Sequence, residues 1–220
     1  MRSARPWIVV AVVLVMIGSA AWVVYGTSAF GVARIRVTGA GFVGAPAVRD
    51  ASGVRIGTSL ASLDTGSVAT KVEKLIGVRV AHVHRDWPST IVIDVTIRTA
   101  VAAAPDGRAY ILLDASGVAF RRVSTMPDVV LITLRSPGRD DQSTLAALSV
   151  LRSLPAQIRD LLVSMKAIGP ADVTLILQGH RTLIWGDASD NAAKGRVATS
   201  LLHRPGTVID VSAPNVVTVR

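Results

Sequence analysis

Residues 78–98 read VRVAHVHRDWPSTIVIDVTIR, and this stretch decides the fold of the first half of the chain. In its second arm Ile91, Ile93, Val95 and Ile97 recur with period two and share one face of a strand. Pro88 has no N–H to give a ladder, so Asp86-Trp87-Pro88-Ser89 is the turn, and Val78 to Arg85 and Thr90 to Arg98 are the arms of a hairpin. Upstream, Ala33 to Thr38 alternates as a strand, with Ile35 and Val37 on one face and Arg34 and Arg36 on the other. Pro46 suits the first turn of a helix, APAVRDAS, that ends at Gly53. Asp64 is the expected N-cap of a second helix, where Val68, Val72, Leu75 and Ile76 recur at helical spacing and Gly77 supplies the stop. The sum is β-α-α-β-β, two helices covering one side of a small sheet.

Beyond it the pattern changes. Strands are expected at Tyr110 to Leu113 and Val118 to Val123, around the turn Asp114-Ala115-Ser116-Gly117, and again from Val129 to Leu134. A helix near Thr144 to Leu154 carries Leu145, Leu148, Leu151 and Leu154, and Pro155 breaks it. Strands follow at Val163 to Ala167, Val173 to Gln178 and Thr182 to Trp185, then a helix from Asn191 to His203 and a final strand, Thr207 to Ser212. This predicts a mostly antiparallel α+β domain, with Ala103 to Arg108 as the seam.

The N-terminus fixes where the chain works. Trp7 to Tyr25, WIVVAVVLVMIGSAAWVVY, holds no charge, and nineteen residues make a helix ~28 Å long, enough for one bilayer span. Arg2 and Arg5 precede it, and the positive-inside bias keeps them in the cytoplasm and exports the rest. A cleaved signal peptide is the competing reading, but its apolar core would run only ~7–15 residues. There is no cysteine, which excludes disulfides, thiolate metal sites and thiol nucleophiles. The net charge of +9 is spread over scattered arginines without a basic run, so nucleic acid is not an expected partner.

Other motifs yield to plainer readings. Gly39-Ala40-Gly41-Phe42-Val43-Gly44 spells a dinucleotide fingerprint, yet the helix after it is two turns long and Asp64 opens a helix where a strand end is needed. It reads as a glycine-rich turn. His82, His84 and Asp86 alternate on one strand face, but His82 and Asp86 are ~13 Å apart and cannot share an ion. Asp140-Asp141 reads as a solvated loop, Glu73 is the one glutamate, and Ser116 is a turn serine without the nucleophile-elbow motif. Trp87 and Trp185 read as core or turn packing, and Arg34, Arg36, Arg121 and Arg122 as solvated strand faces. Neither cofactor nor small-molecule substrate is expected.

The phrases IRVTGAGFVGAPAVRDASGVRIGTSLASLD, VRVAHVHRDWPSTIVIDVTIRTAVA, LLDASGVAF, TLIWGDASDNAAKGRVATSLL and VIDVSAP, in that order, closely resemble the bacterial cell-division family FtsQ, also called DivIB. The bias to Ala, Val and Arg resembles an actinobacterial member. The chain departs from the family at Ile97-Arg98-Thr99-Ala100-Val101-Ala102, which lacks the family's Glu and Pro.

The resemblance implies a cytoplasmic tail at 1–6, a transmembrane helix at 7–25, a linker at 26–32, a POTRA domain at 33–102, a β domain at 103–212 and a tail at 213–220. It implies no catalysis. Instead it implies a single-pass scaffold of the cytoplasmic membrane, enriched at the septum, which links early and late division proteins and binds FtsB-like and FtsL-like partners. From the residues alone, Thr207 to Ser212 is last in the chain, and Pro214 halts the ladder after it, so the strand either offers an open edge to an incoming one or pairs centrally with the edge elsewhere. The family resemblance places its partner there too. The candidate contacts are Thr207, Val208, Ile209, Asp210, Val211, Ser212, Ala213, Asn215, Val216 and Val217. The rival reading is a POTRA-bearing protein of polypeptide transport, which would show tandem small domains or barrel strands.

Overall fold

A computed structural model describes residues 10–19, 31–213 and 218–219. Residues 10–19 are helical (α1). Among the described residues no helix is long and apolar enough to cross a membrane, and both ends of the span expected at 7–25 lie outside them. The rest forms two compact units, divided between Arg98 and Thr99.

The first unit contains β1 (Arg34–Thr38), α2 (Ala45–Ser52), α3 (Thr65–Glu73), β2 (Val78–Asp86) and β3 (Thr90–Ile97). Strand order is β1-β3-β2, with β1 parallel and β2 antiparallel to β3. β3 takes the centre because it is apolar on both faces. Ile91, Ile93 and Val95 are buried, and so is Val92 on the opposite side, flanked by Arg36 and His84 of its neighbours. Val48 of α2 and Val68 and Val72 of α3 close the core over Val78, Ala81, Ile93 and Val95. Each fully buried Val or Ile contributes about 1.5–3 kcal/mol.

Both helices start as expected. Pro46 lies in the first turn of α2, and Gly53 ends it in the left-handed region at φ 65°. The Asp64 carboxylate accepts the Gly66 and Ser67 amides at 3.0 and 3.2 Å. The end of α3 differs from expectation. It stops at Glu73, Ile76 is 62% exposed, and Gly77 is not its cap. Gly77 is instead required by close packing, since a Cβ there would lie 2.7 Å from Val43 Cγ2 and 2.8 Å from Phe42 Cε2.

The second unit holds β4 (Ala102–Asp106), β5 (Ala109–Leu113), β6 (Ala119–Val123), β7 (Val130–Leu134), α4 (Gln142–Ser153), α5 (Ala156–Arg159), β8 (Leu162–Ala167), β9 (Val173–Leu177), β10 (Arg181–Gly186), α6 (Asn191–Leu201), β11 (Val208–Asp210) and β12 (Thr218–Val219). The strands form one sheet in the order β12-β11-β10-β9-β8-β7-β4-β5-β6. Most neighbours pair antiparallel, while β4–β7, β7–β8 and β10–β11 are parallel. Met165, Leu175, Leu183, Trp185 and Ile209 of the sheet, and Val211 just after β11, share one core with Ala147, Val150, Ile158 and Ala198 of the helices.

Two local expectations are corrected here. The seam placed at Ala103 to Arg108 is mostly β4, whose Ala102, Ala103 and Ala104 are almost fully buried. Asp141 is not merely a solvated loop residue. Its carboxylate accepts the Thr144 amide at 2.8 Å and the Thr144 hydroxyl at 2.7 Å, so α4 begins two residues earlier than its leucines indicate. Finally, Leu145 is 36% exposed, folded over the 114–117 turn, where its Cδ2 would lie 3.3 Å from a Cβ on Gly117.

Candidate functional site

At the C-terminal end of the large sheet, β10 supplies the scaffold on which β11 lies. Thr182 donates to the Thr207 carbonyl at 2.8 Å and Val211 to the Ile184 carbonyl at 2.9 Å, the parallel ladder that joins β11 to β10. Trp185 is fully buried, and its Nε1 donates to Asn191 Oδ1 at 2.8 Å. Asn191 in turn reaches Ser149 Oγ at 3.4 Å, so the start of α6 is tied to both β10 and α4. Gly186 lets the chain after β11 pass close by. Its φ is 77°, and a Cβ there would lie 2.9 Å from Ser212 Cβ.

Two cations that pattern reading passed over hold this end together. Arg181 donates from Nε to the Gly206 carbonyl at 3.1 Å, from Nη1 to Leu202 at 2.5 Å and from Nη2 to Arg204 at 3.1 Å. It thereby gathers the carbonyls that follow α6. Lys194 is 1% exposed, and its Nζ donates to the Asp187 carbonyl at 3.0 Å and to Asp187 Oδ1 at 2.6 Å. The Lys194 ammonium, helped by Ser189, holds the Asp187 carboxyl down at about 2. A lysine in the opening turns of a helix works against the helix dipole, and that local conflict was the available sequence signal for a buried partner.

The candidate contact residues divide sharply. Ile209 and Val211 are fully buried core, and Val208 and Asp210 are half-buried. Ser212 and Ala213 are exposed, with the Ser212 amide and hydroxyl donating to Asp210 Oδ1 at 2.9 and 2.7 Å. Asn215, Val216 and Val217 lie outside the described residues.

The strand itself is shorter than expected and is not the last. Val208–Asp210 pairs with β10 on one side and with β12 on the other, Ile209 opposite Val219 and Asp210 opposite Thr218. The open-edge reading of Thr207 to Ser212 is therefore corrected. Pro214 interrupts the ladder without ending it, because the chain returns to pair again, and β12 is the outermost strand among those described.

The remaining motifs resolve into structural chemistry. Gly39, at φ 69°, would drive a Cβ into the Val95 carbonyl oxygen, and a Cβ on Gly41 would meet Ile97 Cδ1 at 2.6 Å. Both glycines allow the turn after β1 to press on β3. His82, His84 and Asp86 are exposed, with His84 Nδ1 3.4 Å from Asp94 Oδ2 and Arg36 3.4 Å from Asp86 Oδ2. Among the described residues no three His, Cys, Asp or Glu are grouped to hold a metal ion. Glu73 Oε1 accepts the Ala81 amide at 3.0 Å beside the irregularity in β2, and Ser116 donates to Asp114 within its turn. Arg85 donates to the Leu60 and Leu63 carbonyls at 2.7 and 2.6 Å, fastening the loop before α3.

The class this architecture defines is a POTRA unit followed by a large mixed sheet with helices on its core face. The family model described as POTRA domain, FtsQ-type, matches residues 30–98, and that described as Cell division protein FtsQ/DivIB, C-terminal, matches residues 102–212. The chain belongs to the FtsQ/DivIB family of cell division proteins. Its relatives include Cell division protein FtsQ of Mycobacteroides abscessus, 32% identical over 213 residues, covering 97% of this chain and 68% of the relative. That of Streptomyces coelicolor is 33% identical, covering 90% of this chain and 80% of the relative. That of Mycobacterium leprae is 35% identical over 198 residues, with 89% and 58% covered. These relatives are actinobacterial, in keeping with the composition of the chain.

Proposed function

We propose that this chain is a bitopic scaffold of the division machinery, anchored in the cytoplasmic membrane through residues 7–25 with both folded units outside the cytoplasm. Its FtsB-like and FtsL-like partners dock at the C-terminal end of the large sheet, beside Thr207 to Ala213 and the residues that follow. The observation that carries the docking site is the thinness of this end. Only Ile209 and Asp210 of the three-residue β11 pair with the two residues of β12, so few backbone bonds hold the outermost strand. An incoming strand gains main-chain hydrogen bonds there by extending or replacing β12. Ser212 and Ala213 supply exposed side-chain contacts beside it, while Ile209 and Val211 hold the platform from below.

The test is co-purification from dividing cells of full chains with and without residues 214–220. The deleted chain should stay folded and membrane-bound, yet capture less FtsB-like and FtsL-like protein. Undiminished capture would move the site to another surface. A reporter fused after Arg220 should be active only outside the cytoplasm, and cytoplasmic activity would overturn the topology.

A further inference from the structure

Four arginines converge on one cleft of the POTRA unit that the division-partner reading does not use. Arg34 and Arg36 of the edge strand β1, Arg49 of the last turn of α2 and Arg55 of the loop after it line the cleft, with Asp50 as the one carboxylate among its lining residues. Arg34, Arg49 and Arg55 make no side-chain hydrogen bond or ion pair with any described residue. Arg36 meets Asp86 at 3.4 Å with both side chains about half exposed, a contact that holds it weakly. Ile56, 67% exposed, stands at the rim. An apolar tip set among unpaired guanidinium groups matches a surface with phosphates above and acyl chains beneath.

We propose that this cleft docks on anionic phospholipid and holds the POTRA unit down against the membrane. The proposal rests on the anchor reading. Eight residues, 26–33, separate the apolar run from Arg34, and at about 3.5 Å each they span at most ~28 Å. Arg34 thus stays within ~28 Å of the end of the apolar run, and attraction takes hold once the cleft comes within a Debye length, about 8–10 Å, of the headgroups. An acidic peptide adding to the free edge of β1 is the other occupant such charge would fit. The short tether and the exposed Ile56 favour lipid.

Because the chain has no cysteine, Ile56→Cys gives a single attachment point for a fluorophore. The labelled full chain is reconstituted in phosphatidylcholine vesicles with and without phosphatidylglycerol, each carrying a nitroxide-lipid quencher, and retention after an alkaline carbonate wash is scored. The expected result is retention in both, with several-fold stronger quenching when phosphatidylglycerol is present, falling as salt is added. R34Q/R36Q/R49Q/R55Q should abolish the difference, and the four lysine counterparts should restore it. Equal quenching of a retained chain in the two vesicles overturns the proposal alone, as does a glutamine variant that keeps the difference. A chain stripped by the wash overturns the anchor reading and the proposal with it. Loss of division-partner capture by the glutamine variant with quenching unchanged assigns the cleft to an acidic strand instead.

Discussion

Breaking the Lys194–Asp187 pair from its two sides should give very different costs. Lys194 is 1% exposed, whereas the Asp187 side chain is 51% exposed. Asp187→Ala leaves a buried ammonium with only the Asp187 carbonyl and also removes the bonds from Ser189 to Oδ1 at 3.0 and 2.6 Å. Leaving a buried charge unpaired costs about 3–5 kcal/mol, and because one partner is half in water this is discounted to about 2–3 kcal/mol. Lys194→Met fills the same space without charge and leaves a carboxylate that water can reach, so about 0–1 kcal/mol is expected. At a urea slope of about 2 kcal/mol/M, Asp187→Ala lowers the unfolding midpoint by more than ~1 M and Lys194→Met by less than ~0.5 M. Emission from Trp185 in a Trp7→Phe/Trp22→Phe/Trp87→Phe background follows the second unit. The double variant should recover most of the loss. An Lys194→Met chain as unstable as Asp187→Ala, or a double variant worse than both, would refute the reasoning. The pH arm has a definite sign. The folded carboxyl sits at about 2, below its ordinary value, so its contribution is present above pH ~4 and is lost as pH falls toward 2. Asp187→Asn should flatten the stability curve in that window.

Other sites give independent checks. Gly39→Ala drives a Cβ into the Val95 carbonyl and should destabilise the POTRA unit by at least about 3 kcal/mol, with Trp185 emission unmoved and no NAD affinity in either chain. Asp141→Ala removes the cap of α4 and should cost about 1 kcal/mol in urea unfolding, with Asp141→Asn recovering part of it. Arg181→Ala frees three carbonyls and should speed hydrogen exchange at the Thr182 and Val211 amides by ~10-fold or more, while the Leu112 and Leu131 amides exchange as before.

The POTRA order was legible because its signals are local and agree with one another. Period-two runs mark β1 and β3, Pro46 and Asp64 mark helix starts, and Gly53 marks a helix end. Gly77 misled for the opposite reason, since its requirement is set by Phe42 and Val43 more than thirty residues away. In the second unit the strands were readable one by one, but their arrangement was not. Nothing local tells β7 to leave the β4–β5–β6 meander and pair in parallel with β4. Ala102 to Ala104 escaped notice because alanine carries little strand signal. The end of the sheet was misread because a two-residue strand such as β12 has no periodicity to detect. Arg181 and Lys194 act on carbonyls and a carboxylate that only folding brings to them.

The strand order also describes a schedule. After the single jump of β7 to the far side of β4, strands β8 to β12 are laid down one beside the next in chain order, always on the same margin. A chain made from its N-terminus can therefore lengthen this sheet as it emerges, each new strand finding its template already standing. Every rung waits only for the one before it, and nothing already built must reopen to admit a later strand. Among the described strands, the growing margin is the last to be filled. On the proposed docking site, a partner strand would meet the latest-made of the described strands and would compete with β12 for the edge of β11.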